Sequence, residues 1–522
     1  MVTTPQRTLL VASVSRATND ALAEAARVVD ARVPAVEVRL DALEEAPDFP
    51  ALRAAFGGRT LLATLRSRAE GGRFQGSTGE AAALLAAALD AGFDLVDVEL
   101  ARSGAGLLGL PGGRVVVSAH DFEGVPDDVE ALAARMEASG ARYVKLVATA
   151  RGLGDALRLL RLQSSRAGGR FTAFGMGEAG LLTRALSPCL GAALSFGAAL
   201  PGEATAPGQL LASDLLDVYA VGRPRPVEAL FALLGGRVSH SLSPALHNAA
   251  FEALGLPALY VPVALRSLRE ELPVLRGALS ALGLHLGGAS VTIPFKEEAA
   301  RVAGAVEGSV GNTLLFGVDG SVSAANTDRE ALLEAIPEAP DGGAALVLGA
   351  GGMARAAVEA LVERGFSVDV AARNAPRAAA LASGCGARVV SNPAGSGLPY
   401  GVVVNATPLG LDASDPLPCD GALLAPGVLA VDAPYRPGGT PFAAEALRRG
   451  ARLVDGFSLL LSQAAGQSAL FTGRPAGAAG RTRAARPTPV FAAWPGPVRR
   501  GPGGASGIPA PARPWGSGHG GG

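Results

Sequence analysis

The sequence predicts an α/β protein: a (β/α)8 barrel, then a smaller α/β unit, then a parallel sheet of the Rossmann type. Three observations lead to this prediction. Eight short β-branched runs alternate with helical segments over roughly the first 220 residues. A Gly/Pro segment at 222–226 separates them from a second strand–helix series. From Ala344 a strand, a glycine-rich turn, a helix and another strand follow one another, as in open parallel sheets.

The eight predicted barrel strands are short, apolar and rich in β-branched residues. Most are separated by Ala/Leu/Arg-rich segments with helical periodicity, such as 81–91, 127–139 and 155–163. Eight strand–helix units of this length are typical of a (β/α)8 barrel. The strands are predicted at 9–15, 35–40, 60–66, 94–100, 115–120, 143–147, 171–175 and 192–196.

Composition excludes several classes of protein. The 522 residues carry 46 Lys+Arg and 47 Asp+Glu, and the net charge of −1 argues against a nucleic-acid-binding protein. Cys189, Cys385 and Cys419 lack metal-ligand spacing, so we expect a reducing, cytoplasmic compartment and no metal. The apolar stretches 185–202 and 456–473 contain Gly, Ser or Gln and do not read as membrane spans. We also expect no signal peptide.

These patterns divide the chain into five segments. We expect a barrel over 1–221, a linker over 222–228, an α/β domain over 229–335 with 451–475 packing back on it, and a Rossmann domain over 336–450. The remaining segment, 476–522, is mostly Gly, Pro, Ala and Arg, which predicts a solvated, disordered tail. Binding of an anionic partner by its arginines is the alternative.

Lysine is rare in this chain. Lys145 and Lys296 are the two lysines among 46 basic side chains, and the other 44 (46 minus 2) are arginine. Arginine stays protonated at any relevant pH, whereas a buried amine can lose its proton and act as a nucleophile or base. Each lysine is therefore a candidate for a site that requires amine chemistry. The alternative is that both are ordinary surface residues.

Charged residues stand at the carboxyl ends of the predicted barrel strands. A strand interior normally excludes charge, and the carboxyl ends of barrel strands converge on one site. Their positions therefore predict an active site at that end of the barrel. The residues are Glu37, Arg39, Arg66, Glu99, His120 and Lys145.

Lys145 and His120 together suggest imine chemistry. Because Lys145 lies in an apolar strand, burial should lower the pKa of its amine, which can then form an imine with a keto substrate. His120, with a pKa near working pH, can move protons at the adjacent carbon. Alone, His120 is more simply a structural histidine, and the neighbouring lysine favours catalysis. Residues that can orient the histidine, bind a carboxylate and bind hydroxyls are, respectively, Glu70, Arg66 with Arg184, and Gln209.

These residues resemble the type I 3-dehydroquinate dehydratase family over about residues 7–220. The matching segments are Glu37-Val-Arg-Leu-Asp41, Leu65-Arg-Ser-Arg-Ala-Glu-Gly-Gly72, Ser118-Ala-His-Asp-Phe122, Val144-Lys145, Met176 to Arg184 and Ala206-Pro-Gly-Gln209. The resemblance implies that Lys145 forms an imine with the C3 ketone of 3-dehydroquinate and that His120 is the general acid/base. The residues it implies for substrate binding are Glu37, Arg39, Arg66, Arg184 and Gln209. Thr205 departs from the family's usual serine but keeps the hydroxyl of this substrate-binding loop.

A second chemistry is suggested by the Gly-x-Gly-Gly-x-Ala pattern from Gly349 to Ala354. Such glycines let a pyrophosphate approach the backbone at a helix N-terminus, although the pattern alone reads equally as a tight turn. Where an NAD site would carry Asp or Glu after the next strand, this chain has Arg373. A cation there fits a 2′-phosphate, so we expect NADP. A surface arginine is the alternative.

The unit before this turn offers hydroxyl and charged groups. Ser241 and Ser243 can bind a carboxylate at the start of a helix, or merely cap that helix. Lys296 and Asp328 can relay the proton that accompanies hydride transfer, or form a structural salt bridge.

Residues 230–474 resemble shikimate dehydrogenase. The matching segments are Ser241-Leu-Ser-Pro244, Val291-Thr-Ile-Pro-Phe-Lys296, Gly311-Asn-Thr313, Asn326-Thr-Asp328, Gly349-Ala-Gly-Gly352, Val404 to Gly410, Asp432-Ala-Pro-Tyr435 and 456–463. The resemblance implies that Lys296 and Asp328 are the catalytic pair. The implied substrate contacts are Ser241, Ser243, Thr292, Asn312, Tyr435 and Gln463. The implied cofactor site comprises Gly349, Ala350, Gly351, Gly352, Met353, Ala354, Arg373, Asn374, Asn405, Ala406, Thr407 and Gly456. Ser290 stands where many relatives have Asn.

The sequence therefore predicts a tandem enzyme of aromatic amino-acid precursor synthesis. Its barrel would dehydrate 3-dehydroquinate to 3-dehydroshikimate, and its second half would reduce that product to shikimate with NADPH. We expect these small molecules as partners, without nucleic acid or membrane, and the oligomeric state stays open, with a homodimer as one option. Three alternatives remain: a catabolic, NAD-using quinate/shikimate dehydrogenase fused to a dehydroquinase, an aldolase-type Schiff-base barrel, and a scaffold with decayed sites.

Overall fold

The computed structural model describes residues 8–474, except 104–105, 167, 224–225, 307, 318 and 397–398. The tail predicted over 476–522, and part of the linker predicted over 222–228, lie outside the described residues. Within the described part of the chain, no helix combines the length and the apolar character that a membrane crossing requires.

The first part of the chain forms the predicted barrel, and all eight predicted strands are present. They lie side by side and parallel in the order β7-β6-β5-β4-β3-β2-β1-β8. The strands are β1 (Leu9–Val14), β2 (Ala35–Arg39), β3 (Thr60–Thr64), β4 (Leu95–Glu99), β5 (Val115–Asp121), β6 (Tyr143–Thr149), β7 (Phe171–Met176) and β8 (Leu194–Ala198).

Hydrogen bonds between β7 and β8 bring the two edges of this sheet together. The amide of Ala193 donates to the carbonyl of Phe171 at 3.0 Å. The Thr172 hydroxyl accepts from the Leu194 amide at 2.8 Å and donates to its carbonyl at 3.3 Å. Apolar helix faces cover the outside of the strands. The helices are α1 (Asn19–Val28), α2 (Phe49–Phe56), α3 (Thr78–Asp90), α4 (Leu100–Ser103), α5 (Val129–Ala138), α6 (Leu153–Ser165), α7 (Leu181–Leu186) and α8 (Ala212–Asp217).

A five-stranded mixed sheet follows, in the order β10-β9-β11-β12-β13. Its first three strands run parallel, and β12 and β13 pair antiparallel at one edge. The strands are β9 (Ala229–Gly235), β10 (Ala258–Ala264), β11 (His285–Val291), β12 (Thr313–Phe316) and β13 (Val322–Ala325). The helices of this unit are α9 (Ser243–Ala253), α10 (Leu268–Ala281), α11 (Lys296–Val302) and α12 (Thr327–Ala335).

The last sheet is parallel throughout, in the order β16-β15-β14-β17-β18-β19, which is the doubly wound arrangement expected of a Rossmann domain. Its strands are β14 (Ala344–Leu348), β15 (Ser367–Ala371), β16 (Arg388–Val389), β17 (Tyr400–Asn405), β18 (Leu429–Asp432) and β19 (Arg452–Val454). Its helices are α13 (Gly352–Glu363), α14 (Ala375–Cys385) and α15 (Pro441–Arg448). The final helix, α16 (Gly456–Thr472), packs back against α9 and α12.

The barrel and the mixed sheet share one apolar core. Helix α7 of the barrel packs on β10, and Leu181 lies in the same buried cluster as Phe231, Phe251 and Tyr260. The fold class predicted from the sequence is therefore confirmed, and the contact between the two halves is an addition that the sequence did not reveal.

Candidate active sites

One pocket opens at the carboxyl ends of the barrel strands, where the sequence predicts the first site. Charged groups come from the strands, from the segment after β3 and from α7, and polar groups come from the loop after β8. Glu99 does not line the pocket: it accepts a hydrogen bond from the Ser67 amide at 2.7 Å and so holds the segment that follows Arg66. The predicted residues that line the pocket are Glu37, Arg39, Arg66, Glu70, His120, Lys145, Arg184, Thr205 and Gln209.

The Lys145 amine is buried and loosely surrounded. Its Nζ atom lies 3.9 Å from the ring centroid of Phe196, 3.5 Å from a Glu37 oxygen and 3.8 Å from an Asp97 oxygen. Burial lowers the pKa of Lys145 below its usual value, the direction expected for an amine on an apolar strand, and Glu37 and Asp97 only partly oppose that shift. An amine in this environment is available as a nucleophile.

Glu37 stays a carboxylate. The hydroxyls of Ser13 and Thr64 donate to its two oxygens at 2.6 and 2.8 Å. Burial alone would raise the pKa of Glu37, but the positive charges of Lys145 and Arg39 outweigh it and hold the pKa at about 2.

His120 and Glu70 form a hydrogen-bonded pair, with His120 Nδ1 2.9 Å from Glu70 Oε2. The expectation that His120 titrates near working pH is wrong for this environment. Burial, followed by the positive charges of Arg66 and Lys145, lowers the pKa of His120 well below its ordinary value. Burial also raises the pKa of Glu70 to about 8. Both shifts favour the neutral forms of the two side chains, and a neutral His120 whose Nδ1–H donates to Glu70 can act as a base through Nε2.

Three arginines reach the pocket, but they differ in how they are held. Arg39 makes two hydrogen bonds to Asp41, at 2.8 and 2.9 Å. Arg66 lies 2.9 Å from Asp97. Arg184 is buried over the ring of Phe174, and its Nε and Nη2 atoms find no hydrogen-bond partner among the described residues. Arg184 is therefore the guanidinium whose donors remain for an anionic ligand.

A short loop between β8 and α8 supplies Thr205 and Gln209. The amide and hydroxyl of Thr205 donate to the Gln209 side-chain oxygen at 2.7 and 3.1 Å, so the departure from serine keeps its hydrogen bond. Gln209 in turn donates to Ser13 at 3.3 Å. Gly208 has φ of 71°, and a Cβ atom there would lie 2.6 Å from the carbonyl oxygen of Gly177, so the close approach of these loops requires glycine.

The second site is built around an ion pair between Lys296 and Asp328. The Lys296 amine lies 2.5 Å from an oxygen of Asp328, whose side chain is 2 % exposed. Lys296 begins α11, and Asp328 lies in the first turn of α12. A Cβ atom on Gly352 would lie 3.1 Å from Lys296 Cδ, so the lysine packs directly against the glycine-rich turn of the Rossmann domain.

Most of the predicted substrate contacts form two hydrogen-bonded groups, the first of which adjoins this pair. Asn312 donates to Gln463 at 3.2 Å and to the hydroxyl of Thr327, next to Asp328, at 3.0 Å. In the other group, the hydroxyls of Ser241 and Ser243 are 3.1 Å apart, and Tyr435 hydrogen-bonds to Ser241.

Thr292 directly follows β11. Its amide donates to the carbonyl of Leu234 at 2.9 Å, and its methyl group packs against Gly235.

Ser290 has a protein partner in place of the amide found in many relatives. Its hydroxyl donates to the side-chain oxygen of Gln467 at 2.7 Å. Gln467 also donates to the Asn312 carbonyl and the Thr313 hydroxyl, both at 3.1 Å. Sequence reasoning missed Gln467, although its position four residues after Gln463 places both on one face of α16.

The predicted cofactor turn connects β14 to α13. Gly349 has φ of 116°, and a Cβ atom there would lie 2.8 Å from the carbonyl oxygen of Ala406. Next to it, Ala350 and Met353 are half-buried, and a Cβ atom on Gly351 would meet open space. The side chain of Ala354 is buried in the domain core, which leaves only its backbone to face a cofactor.

Beyond β15, Arg373 and Asn374 are exposed, as a 2′-phosphate contact requires. Asn374 caps α14 by accepting from the Arg377 amide at 3.0 Å. Arg377, also exposed, is a second cation on the same turn that sequence reasoning missed.

Two other residues of the predicted cofactor set, Asn405 and Gly456, position the backbone around the cofactor turn. Asn405 is fully buried, donates to Asp432 at 2.8 Å and accepts from the Thr407 hydroxyl at 2.7 Å, so it holds the loop that carries Ala406 and Thr407. A Cβ atom on Gly456 would lie 2.2 Å from the Pro434 carbonyl oxygen, so this glycine allows α16 to begin directly beneath that segment.

Both halves of the chain match known protein families. Residues 10–223 match the type I 3-dehydroquinase family, and residues 233–311 match the shikimate dehydrogenase substrate binding domain. Over 480 residues the chain is 31% identical to the chloroplastic bifunctional 3-dehydroquinate dehydratase/shikimate dehydrogenase of Arabidopsis thaliana, which covers 84% of this chain and 78% of that protein. The chain belongs to this bifunctional family. It joins a dehydratase, a lyase of the type I 3-dehydroquinase family, to a shikimate dehydrogenase, an oxidoreductase.

Single-function relatives match the second half. The shikimate dehydrogenase (NADP(+)) of Rubrobacter xylanophilus is 43% identical over 268 residues, which is 47% of this chain and 91% of that protein. The crystal structure of shikimate 5-dehydrogenase from Thermus thermophilus in complex with NADP(H) and shikimate is 37% identical. It covers 49% of this chain and 98% of that chain, with a TM-score of 0.43. The named cofactor of these relatives is NADP.

Proposed function

We propose that the barrel dehydrates 3-dehydroquinate through an imine on Lys145. The observation that carries this proposal is the amine itself: it is buried, its pKa is lowered, and its nearest carboxylate oxygens are 3.5 and 3.8 Å away. Such an amine attacks a ketone carbon and releases water as the imine forms. The protonated imine then draws electrons from the adjacent C–H bond.

His120 is the base for that proton. Its Nδ1 atom is engaged by Glu70, which leaves Nε2 to take the proton next to the imine. His120 returns its proton to the substrate hydroxyl, which leaves as water and gives the unsaturated product, and hydrolysis of the imine regenerates Lys145. Arg184 binds the substrate carboxylate, because its donors lack protein partners among the described residues. Gln209 and Glu37 orient the hydroxyls.

The second half reduces 3-dehydroshikimate to shikimate. When bound, the nicotinamide cofactor supplies the hydride. We assign proton delivery to the carbonyl oxygen to the Lys296–Asp328 pair, which can pass a proton across its 2.5 Å contact. Ser241 and Ser243 bind the substrate carboxylate, and Asn312 with Gln463 binds hydroxyls.

We further propose that the cofactor is NADPH. The turn fits a dinucleotide because it presents backbone without bulky side chains: Gly349 lies too close to the Ala406 carbonyl for a side chain, and Gly351 faces open space. The exposed cation Arg373 follows β15, where a 2′-phosphate would lie. Arg373→Asp should therefore raise KM for NADPH by at least about tenfold, since it removes a charge-assisted bond, and should change KM for NADH little. Equal effects on the two cofactors, measured by initial rates, would refute phosphate recognition.

A coupled assay tests both activities in one cuvette. With 3-dehydroquinate and NADPH, the purified protein should consume NADPH after a lag that 3-dehydroshikimate abolishes. Borohydride should trap a covalent adduct on Lys145 with 3-dehydroquinate and not with aldol substrates, which separates this barrel from an aldolase. Turnover with quinate and NAD in place of these substrates would favour the catabolic alternative.

Domain boundaries and location also stay proposals. We place the barrel at 1–221, the substrate domain at 229–335 with 451–475, and the Rossmann domain at 336–450. This division follows the three sheets and the packing of α16 on α9 and α12. A cytoplasmic location remains a prediction, and the Arabidopsis relative is named as chloroplastic.

A further inference from the structure

A carboxylate of the barrel contacts the other half of the chain at its proposed substrate site. Glu178 follows β7, and its Oε1 atom accepts hydrogen bonds from two successive backbone amides, those of Val238 at 2.5 Å and Ser239 at 2.8 Å. These two residues open the turn that leads to Ser241 and Ser243. The dehydratase half therefore supplies a group to the wall of the dehydrogenase site.

Glu178 is itself held firmly. The amide of Gly177 donates to the carbonyl of Pro207 at 3.1 Å, and the amide of Gly180 donates back to Gly177 at 3.1 Å. The Leu181 amide donates to the carbonyl of Glu178 at 3.3 Å, at the start of α7. The carboxylate thus projects from a loop that is braced on the barrel side.

The turn on the other side depends on that anchor. Val238 is buried, in the same apolar cluster as Leu181, whereas Ser239 and His240 are exposed. The Ser241 amide donates to the Val238 carbonyl at 3.3 Å.

Ser243 is in turn hydrogen-bonded to Ser241. The Ser243 amide donates to the Ser241 hydroxyl at 3.2 Å, and the two hydroxyls are 3.1 Å apart. The backbone at Val238 is therefore one of the contacts that set the position of both hydroxyls, together with Tyr435.

We propose that Glu178 is a positioning residue of the dehydrogenase, which orients Ser241 and Ser243 toward the substrate carboxylate. The inference rests on the proposed role of these two serines. A carboxylate that accepts two amides forms charge-assisted bonds, which are stronger than neutral ones. Its loss lets the turn move and weakens substrate binding, while Lys296 and Asp328, on other elements, keep their geometry.

The test is steady-state kinetics of shikimate oxidation with NADP⁺ for Glu178→Ala, Glu178→Gln and Ser241→Ala. Glu178→Ala should raise KM for shikimate by about fivefold or more with kcat changed less than about twofold, because a binding contact is loosened and the proton relay is not. Glu178→Gln keeps an acceptor oxygen and should recover most of the loss. Glu123→Ala, an exposed carboxylate on another barrel loop, is the matched control and should match the parent.

Each outcome decides a point. If Ser241→Ala raises KM for shikimate and Glu178→Ala does not, the positioning role is refuted and the proposed function stands. If Ser241→Ala leaves KM unchanged, the serine assignment itself fails. Dehydratase kinetics and the thermal midpoint are measured on each variant. A Glu178→Ala protein that loses both activities equally, or whose kcat falls with KM unchanged, contradicts the proposal.

Discussion

The two lysines of this protein occupy opposite kinds of environment. Lys145 lies in a strand of a closed barrel, against an aromatic ring, with its nearest carboxylate oxygens 3.5 and 3.8 Å away. Lys296 begins α11, packs against the glycine-rich turn and lies 2.5 Å from Asp328. The first amine has only long contacts with carboxylate oxygens among the described residues, and the second has one short contact.

The difference matches two uses of the same functional group. An amine that attacks carbon needs a free electron pair, so burial that lowers the pKa of Lys145, with its carboxylate oxygens no nearer than 3.5 Å, suits this use. An amine that gives up a proton needs a partner that replaces this proton, so a short carboxylate contact suits Lys296. The following predictions separate these uses, beginning with the largest effect.

Lys145→Ala should lower dehydratase kcat by more than about 10³-fold, because the covalent step is lost, and should leave shikimate oxidation unchanged. Lys145→Arg is the sharper control, since it keeps the positive charge but cannot form an imine. Substantial dehydratase activity in Lys145→Arg would show that charge, and not covalent chemistry, is what the site requires. Turnover and borohydride trapping measure this.

Lys296→Ala should lower dehydrogenase kcat by about 10²- to 10⁴-fold, the usual contribution of general acid–base catalysis, with dehydratase unaffected. Lys296→Arg keeps an ion pair with Asp328 but not a readily titrated amine. Stopped-flow of hydride transfer measures both variants. A Lys296→Arg enzyme as fast as the parent would reduce the pair to a structural salt bridge.

Asp97→Asn should change the pH dependence of dehydratase kcat/KM more than its maximal value. The negative charge of Asp97 raises the pKa of Lys145 against the effect of burial, so its removal lowers that pKa further. The neutral amine then persists to lower pH, and the acid limb of dehydratase kcat/KM should move to lower pH. Asp94→Asn, just before the same strand, is the matched control. An acid limb displaced to higher pH would contradict this account of Lys145.

The sequence predicted the architecture well because hydrophobic periodicity is local. The strand predicted at 9–15 is β1, Leu9–Val14, and the one at 143–147 is the first part of β6. Strand alternation also places Asp97 on the barrel interior with Leu95 and Glu99. This alternation identifies Asp97 as a pocket neighbour, which the positions of the strand ends alone do not.

Other features depend on distances that no local pattern contains. The pKa of His120 is lowered by burial and by cations that come from β2, β6, α7 and the segment after β3. The contacts of Glu178 with Val238 and Ser239 exist only because the barrel docks on the mixed sheet. Neither can be read from composition or spacing.

The apolar cluster that joins Leu181 to Phe231, Phe251 and Tyr260 has a consequence for how this gene can be divided. In a tandem protein whose halves are independent, cutting the connection yields two soluble fragments. Here the cut would bare leucine side chains on the barrel and part of an aromatic cluster on the mixed sheet, and such patches promote aggregation. The reductase fragment expressed without its N-terminal companion should therefore precipitate or recruit the missing half when the two are produced together.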